Sequence, residues 1–222
     1  AAGAGDRTMG NAYTLGGTVT MGNGTNTGEL TLSGAGTLTS NTTLTALSGV
    51  VLGGALGGAY SLTKSGAGEL TLSGTNTYSG GTTVSAGALN IGSAGALGSG
   101  TLVMNGGTVS SDGTSARTVT NGITFGGAVT LGDAVKNGVL TFGGAGTMTA
   151  ATTLTTSSGV VLNGVLSGGY SLTKAGPATL TLGGVNTYGG NTTVSAGALL
   201  LASNSALGAG TLVCLLYTSD AA

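Results

Sequence analysis

The stretch from Tyr60 to Leu89, YSLTKSGAGELTLSGTNTYSGGTTVSAGAL, returns from Tyr170 to Leu199 as YSLTKAGPATLTLGGVNTYGGNTTVSAGAL. The offset is 170 − 60 = 110 residues, and 22 of the 30 positions are identical. The same offset pairs Arg7 with Arg117, Asn11 with Asn121, Val19 with Val129, Leu44 with Leu154, and Gly49-Val50-Val51-Leu52 with Gly159-Val160-Val161-Leu162. Two copies of one unit, residues 1–110 and 111–213, therefore make one continuous domain. Self-similarity at a fixed spacing marks a repeat architecture, in which a unit buries its apolar side only by stacking on its neighbours.

A shorter repeat lies inside the unit. GELTLSG occurs at Gly28 to Gly34 and again at Gly68 to Gly74, an offset of 40. That length suits two coils of about 20 residues, within the period range of solenoids and β-helices. The runs alternate as strands do: Leu70 and Leu72 flank Thr71, Thr83 precedes Val84, and Leu89 and Ile91 flank Asn90. Helical spacing is missing over any useful length. Ser-Gly, Gly-Gly, Ala-Gly and Asn-Gly pairs punctuate the runs and supply corners of positive φ without a Cβ clash.

These features predict an all-β fold, a right-handed, single-stranded parallel β-helix of about ten coils, five per unit. Leu, Val and Ile point inward, and Thr and Asn stand outside or at corners. With strands roughly 4.8 Å apart, ten coils make a rod about 50 Å long. Each enclosed Leu or Val contributes on the order of 1.5–3 kcal/mol. That gain opposes the backbone entropy of 48 glycines, so the stack must be continuous.

Composition excludes several function classes. The chain has no His and no Trp, charged residues make up 5%, and the formal net charge is −1. Zinc sites, His-based triads and electrostatic nucleic-acid grooves lack their raw material. A disordered linker is disfavoured by regular Leu and Val placement and 40% hydrophobic content. No apolar run reaches the 18 or so residues of a membrane-spanning helix. A transmembrane β-barrel would show strands of about ten residues and aromatic girdles. The lack of an initiator Met and of a signal-peptide pattern reads as an internal fragment.

Many β-helices act on polysaccharides, and that chemistry needs carboxylates placed together. The acids before the tail are Asp6, Glu29, Glu69, Asp112 and Asp133, and their counterparts at offset 110 are Ala116, Val139, Thr179, Ala2 and Asn23. No acidic position is shared between copies, which fits solvated surface charge. Glu29 and Glu69 occupy equivalent positions two coils apart, roughly 10 Å, and form the best enzyme candidate. Basic residues do recur. Lys64 and Lys174 each close a YSLTK strand, where a lysine reads as a gatekeeper against edge pairing. Asn76 and Asn186 read as corner residues that bond neighbouring backbone or adopt the left-handed region. Tyr78 and Tyr188 read as coil-edge aromatics with wet hydroxyls. Gly22-Asn23-Gly24 is not followed by a helix and reads as a turn, not a dinucleotide loop. Calcium-binding nonapeptide repeats need an Asp in nearly every turn, and this chain has four in all. The reading is of no enzyme, with no catalytic, cofactor-binding or metal residues, no cofactor, no nucleic acid and no small-molecule substrate.

The repeat breaks after Thr211-Leu212-Val213, where the second copy should continue like Met104-Asn105-Gly106-Gly107-Thr108-Val109 but reads CLLYTSDAA. That string, Cys214 to Ala222, resembles the translation of a transposon-type sequencing adapter and reads as read-through. A divergent terminal cap is the other reading. Cys214 lacks a partner thiol or an activating His, so no redox or catalytic role is assigned to it.

LTLSGTNTYSGGTTVSAGALNIGSAGALGSGTLVMNGGTV, Leu70 to Val109, resembles the autotransporter-associated β-strand repeat of passenger regions in Gram-negative type V secreted proteins. Leu180 to Val213 is a shortened second copy of the motif. The resemblance implies a passenger β-helix at the cell surface, tethered in the full-length protein by a C-terminal outer-membrane β-barrel that this sequence lacks. Three functions compete. The first is a structural and adhesive stalk, with self-association or host-surface and glycan contact as its partners. The second is an ice- or crystal-binding solenoid built on pairs such as Thr37/Thr39, Thr118/Thr120 and Thr147/Thr149, although these pairs do not recur in every coil. The third is a polysaccharide-acting enzyme on Glu29 and Glu69.

Overall fold

The computed structural model describes residues 5–25 and 27–215. Most of the tail from Cys214 to Ala222 therefore lies outside the described residues, and only Cys214 and Leu215 are placed. The described residues form 25 strands and no helix. Strands pair in parallel, as a chain that winds in one direction requires.

The first sheet has eleven strands. In order they are Arg7–Met9, Leu30–Leu32, Val50–Leu52, Glu69–Leu72, Ala88–Ile91, Thr108–Ser111, Ala128–Leu131, Thr152–Thr156, Leu172–Ala175, Thr192–Val194 and Leu212–Cys214. Each step along it is one turn of the chain, so the solenoid makes about ten turns and extends about 50 Å at strand spacing. A second sheet of nine strands starts with Tyr13–Met21 and Gly36–Ala46, and a third of five runs from Arg117–Val119 to Ala198–Leu201. The strand Gly36–Ala46 turns a corner, pairing at its start with Leu56–Gly57 and at its end with Leu62–Ser65.

Register explains the core. Leu30, Val50, Leu70, Leu89 and Val109 lie side by side on successive turns. Their side chains form one inward column, and the last four are essentially inaccessible. The Thr between paired Leu residues faces outward. On the second sheet this produces a row one side chain wide, running Thr18, Thr43, Thr63, Thr83, Val103, Thr124, Thr147, Ser167. An outward column with no charge in it is what period-two patterning with threonine gives.

The two copies are out of phase with the coil. From Leu62–Ser65 the second sheet passes through Thr82–Val84, Leu102–Met104, Ile123–Phe125 and Gly146–Met148 to Leu166–Ser167, which is five turns. The equivalent of Leu62–Ser65, Leu172–Ala175, follows one face later and lies in the first sheet. Likewise Glu69–Leu72 lies in the first sheet and Thr179–Leu182 in the third. One unit thus advances five turns and one face, so its features come round on a different side of the rod.

Corners need glycine where coils approach each other. Gly87 has φ +70°, and a Cβ there would fall on the carbonyl oxygen of Gly66 in the preceding coil. Gly113, in a loop with open space around it, has neither constraint. Gly87→Ala is expected to cost more than about 1–3 kcal/mol, the strain of a left-handed non-glycine residue plus the displaced backbone. Gly113→Ala should stay within about 0.5 kcal/mol. Denaturant unfolding of both variants checks this contrast.

Candidate functional site

Two kinds of position were candidates for chemistry: scattered acids and recurring polar residues. Glu29 and Glu69 do sit at aligned positions two turns apart, because Leu30, Val50 and Leu70 are in register and Gly49 falls between them. They line a shallow groove of about 400 Å³ with Gly24, Thr27, Leu47, Ser48, Gly49 and Gly68. Each carboxylate has structural partners. Thr31 Oγ1 donates to Glu29 at 3.4 Å. Glu69 pairs with Lys136, which reaches back from the loop before Leu140–Phe142 across three strands of the first sheet, and it accepts from Asn90 Nδ2 at 3.4 Å. Asn90 and Ser110 face outward by alternation but are buried, and Ser110 Oγ donates to Asn90 Oδ1 at 2.8 Å.

The other acids serve the backbone or a cation. Asp6 accepts the Glu29 amide at 2.9 Å. Asp112 pairs with Arg117 at 2.7 Å. Asp133 accepts the amides of Lys136 and Val135, both at 2.8 Å, and these bonds hold its carboxyl below the usual carboxylate range. Among the described residues no three His, Cys, Asp or Glu side chains group as a metal site.

The recurring residues stand differently from the expectation. Lys64 and Lys174 are not edge gatekeepers but are fully buried. In L-T-K the alternation puts Leu62 and Lys64 on the same inward side, and each ammonium turns at the corner to find carbonyls. Lys64 Nζ donates to Ser65 and Gly66 at 2.8 Å and to Ala86, one coil on, at 3.1 Å. Lys174 Nζ repeats this with Ala175 and Gly176 at 2.8 Å and Ala196 at 2.9 Å. Burial pushes the pKa of both amines down, to about 8.

Asn76 and Asn186 do not adopt the left-handed region, since no non-glycine residue has positive φ among the described residues. Nor do they bond only their own turn. Asn76 Oδ1 accepts the Leu56 amide at 2.8 Å and Nδ2 donates to Ala96 O at 2.5 Å, so one side chain bridges the coils before and after it. Asn186 does the same between Leu166 at 2.7 Å and Ala206 at 2.5 Å.

Tyr78 and Tyr188 correct the coil-edge reading as well, for both are completely enclosed. Their hydroxyls meet the Thr82 and Thr192 hydroxyls at 2.5 and 2.6 Å. Burial raises the Tyr78 pKa to about 12 despite the Thr82 hydrogen bond, which acts in the opposite direction. The threonine partners, four residues downstream, were missed in the sequence. Their recurrence in both copies was the available signal.

Of the threonine pairs, Thr147 joins the outward row of the second sheet and Thr118 pairs with Thr141 in the third. Thr39 and Thr149 instead donate to Leu15 O and Phe125 O of the preceding coil, both at 3.2 Å. What repeats is a set of interior polar fasteners, the Lys and Asn bonds between coils and the Tyr–Thr pair within one.

A parallel solenoid with interior fasteners repeated every 110 residues defines the class of protein, and comparison with known proteins agrees. Residues 62–91 and 172–201 match the family of the passenger-associated-transport-repeat. The chain is also 52% identical over 62 residues to the adhesin BmaC autotransporter of Brucella suis biovar 1 (strain 1330). That alignment covers 28% of this chain, which spans 2% of the relative's length. No solved structure matches it significantly. These similarities bear out the resemblance to autotransporter passenger repeats.

Two outcomes follow from the fasteners. A lysine with a depressed folded pKa binds its proton less readily than in the unfolded chain, so stability should rise with pH from about 8 to 10. Replacing both lysines, Lys64→Met with Lys174→Met, should flatten that rise in denaturant titrations at each pH. Tyr78→Phe leaves the Thr82 hydroxyl enclosed without its partner and should cost about 1–3 kcal/mol at neutral pH.

Proposed function

We propose that this chain is a structural and adhesive stalk segment of an autotransporter passenger displayed at the bacterial cell surface, without catalytic activity. The observation that carries the reading is which residues the two units share. Lys, Asn, Tyr and Thr fasteners recur with their bonds, whereas every acid is replaced at the equivalent position. Repetition has kept what holds coils together and not what would turn over a substrate.

In this reading the rod spaces and presents other parts of a longer protein, which an outer-membrane β-barrel of the same chain tethers. Its outward surface, rows of Thr, Ser and Asn with little charge, contacts host surfaces or glycans through shape and hydrogen bonds. The similarity to an adhesin supports contact of that kind. Glu69, occupied by Lys136 and Asn90, offers poor support for the polysaccharide-acting reading.

Because coils stack one on another, folding outside the cell would help draw the passenger outward. Fused between a secretion signal and an outer-membrane barrel, the chain should become accessible to added protease on intact cells. Leu72→Asp puts a carboxylate into the core column and should lower both stability and the accessible yield several-fold. Equal display of the variant would sink the folding-driven part of the proposal, and adhesion of displaying cells no greater than that of barrel-only cells would sink the adhesive part.

A further inference from the structure

Each unit carries one tyrosine that the solenoid does not enclose. Tyr60 and Tyr170 stand at corners inside the rod, with further coils before and after them, yet they are 41% and 46% exposed. Tyr78 and Tyr188, the next tyrosines along the chain, are closed in completely. The Tyr60 and Tyr170 hydroxyls make no hydrogen bond to another described residue.

Coil stacking keeps the surroundings of each ring bare. The register that pairs Thr42 with Leu62 and Thr152 with Leu172 sets the small residues Ser40 and Ala150 beside the tyrosines on the preceding coil. On the following coil Gly80 N donates to Tyr60 O at 3.3 Å, and Gly190 N to Tyr170 O at 3.2 Å. A Cβ on Gly80 would lie 2.4 Å from Ser61 N and one on Gly190 2.3 Å from Ser171 N, so that coil cannot raise a side chain there. An exposed asparagine adjoins each corner. Asn41 Oδ1 accepts the Ser61 amide at 3.1 Å, and Asn191, whose carbonyl accepts the Leu172 amide at 2.9 Å, takes the Thr211 amide on its Oδ1 at 3.0 Å. Both Nδ2 groups are left uncommitted.

The duplication singles these tyrosines out. Around them Ser40, Gly57, Ala59 and Ser79 of the first unit have become Ala150, Ser167, Gly169 and Gly189 in the second, while the tyrosine has stayed. An enclosed residue is kept by its packing, but an open aromatic that recurs on a changing surface calls for a partner outside the chain.

We infer that Tyr60 and Tyr170 are stacking positions for a neutral hexopyranose, one per unit. A pyranose has an apolar face of C–H groups and a rim of hydroxyls. The aromatic ring covers the face, and the tyrosine hydroxyl and the asparagine Nδ2 meet the rim. The ligand is uncharged because the corners are: residues 36–42, 56–61 and 76–82 about Tyr60, and 146–152, 166–171 and 186–192 about Tyr170, contain no Asp, Glu, Lys or Arg. The choice of a sugar over another small neutral molecule rests on the adhesive reading above. Tyr60 leads into a strand of the second sheet and Tyr170 into one of the first, so the two positions face different sides of the rod and bind independently.

The full 222-residue chain, grown with fluorotyrosine, tests this by fluorine NMR. Titration with the methyl glycosides of glucose, galactose and mannose should move the Tyr60 and Tyr170 signals saturably and leave those of Tyr78 and Tyr188 in place. Tyr60→Ala or Tyr170→Ala should abolish one position and leave affinity at the other unchanged. The double variant should weaken binding at least on the order of tenfold. Tyr60→Phe keeps the ring and should keep most of the binding. Circular dichroism and melting should stay near those of the parent in every variant, because these side chains are open to solvent. Added salt should leave the affinity unchanged, since no charge takes part. Three results would each overturn the inference: no saturable shift with any of the three glycosides, binding that the double variant leaves intact, or affinity that falls with salt. Sugar binding by the chain without adhesion of displaying cells would instead sink the adhesive reading alone.

Discussion

Everything in this molecule depends on one constraint: a coil of about 20 residues has no apolar partner except the coil before and the coil after. The backbone ladder between coils supplies direction and spacing, but the interior is narrow, and wherever a polar group enters it must find its partner in its own turn or an adjacent one. Lys64, Asn76 and the Tyr78–Thr82 pair meet that demand in three ways. The ammonium gathers carbonyls at a corner, the amide accepts from one coil and donates to the next, and the hydroxyls satisfy each other. Each does two tasks. It removes the penalty of burying polar atoms and fixes a local geometry, a corner for the Tyr78–Thr82 pair and, for Lys64 and Asn76, the register of neighbouring turns, which uniform leucine columns leave poorly specified.

The same constraint sets what duplication can build. If a unit filled a whole number of turns, anything it carried outward would recur in a stripe along one side, and a ligand could bind several copies at once. Here a unit advances five turns and one face, with Lys64 on the second sheet and Lys174 on the first. Outward features therefore spiral round the rod, and interior features do not suffer, because the three faces enclose one core. A stalk tolerates this phase well. A catalytic or lattice-matching face would not, since its residues would have to be re-created on a different sheet in each copy.

Much of this is legible in the sequence alone. The period of 110, the alternating Leu and Thr, and the glycine corners sufficed for an all-β parallel solenoid of about ten turns, and the register of Glu29 with Glu69 was right. The polar residues were harder, for a physical reason. A lysine next to Ser-Gly carries the pattern of an exposed strand end, and only the alternation with Leu62 places Lys64 inward. Asn76 and Tyr78 look like turn residues because they are at a corner, but the Asn76 partners Leu56 and Ala96 become neighbours only through coil stacking, and Tyr78 meets Thr82 only because the corner folds both inward. The phase between unit and coil was equally hidden, since 110 residues divide into about five coils whether or not a face is left over.

Glu69 shows how a solenoid absorbs a charged residue that would otherwise look catalytic. It stands on the outer side of a strand, in reach of a groove and in register with a second carboxylate, the arrangement that makes an acid pair on other β-helices. Yet the loop before Leu140–Phe142 returns over the first sheet to bring Lys136 to it, and Asn90 and Ser110 are closed beneath that crossing. Its carboxylate therefore ties a turn of the first unit to a loop of the second, across three rungs of sheet. Such a tie resists the separation of coils that would begin unzipping from within the rod, so even the best-placed acid serves the stacking on which the fold rests.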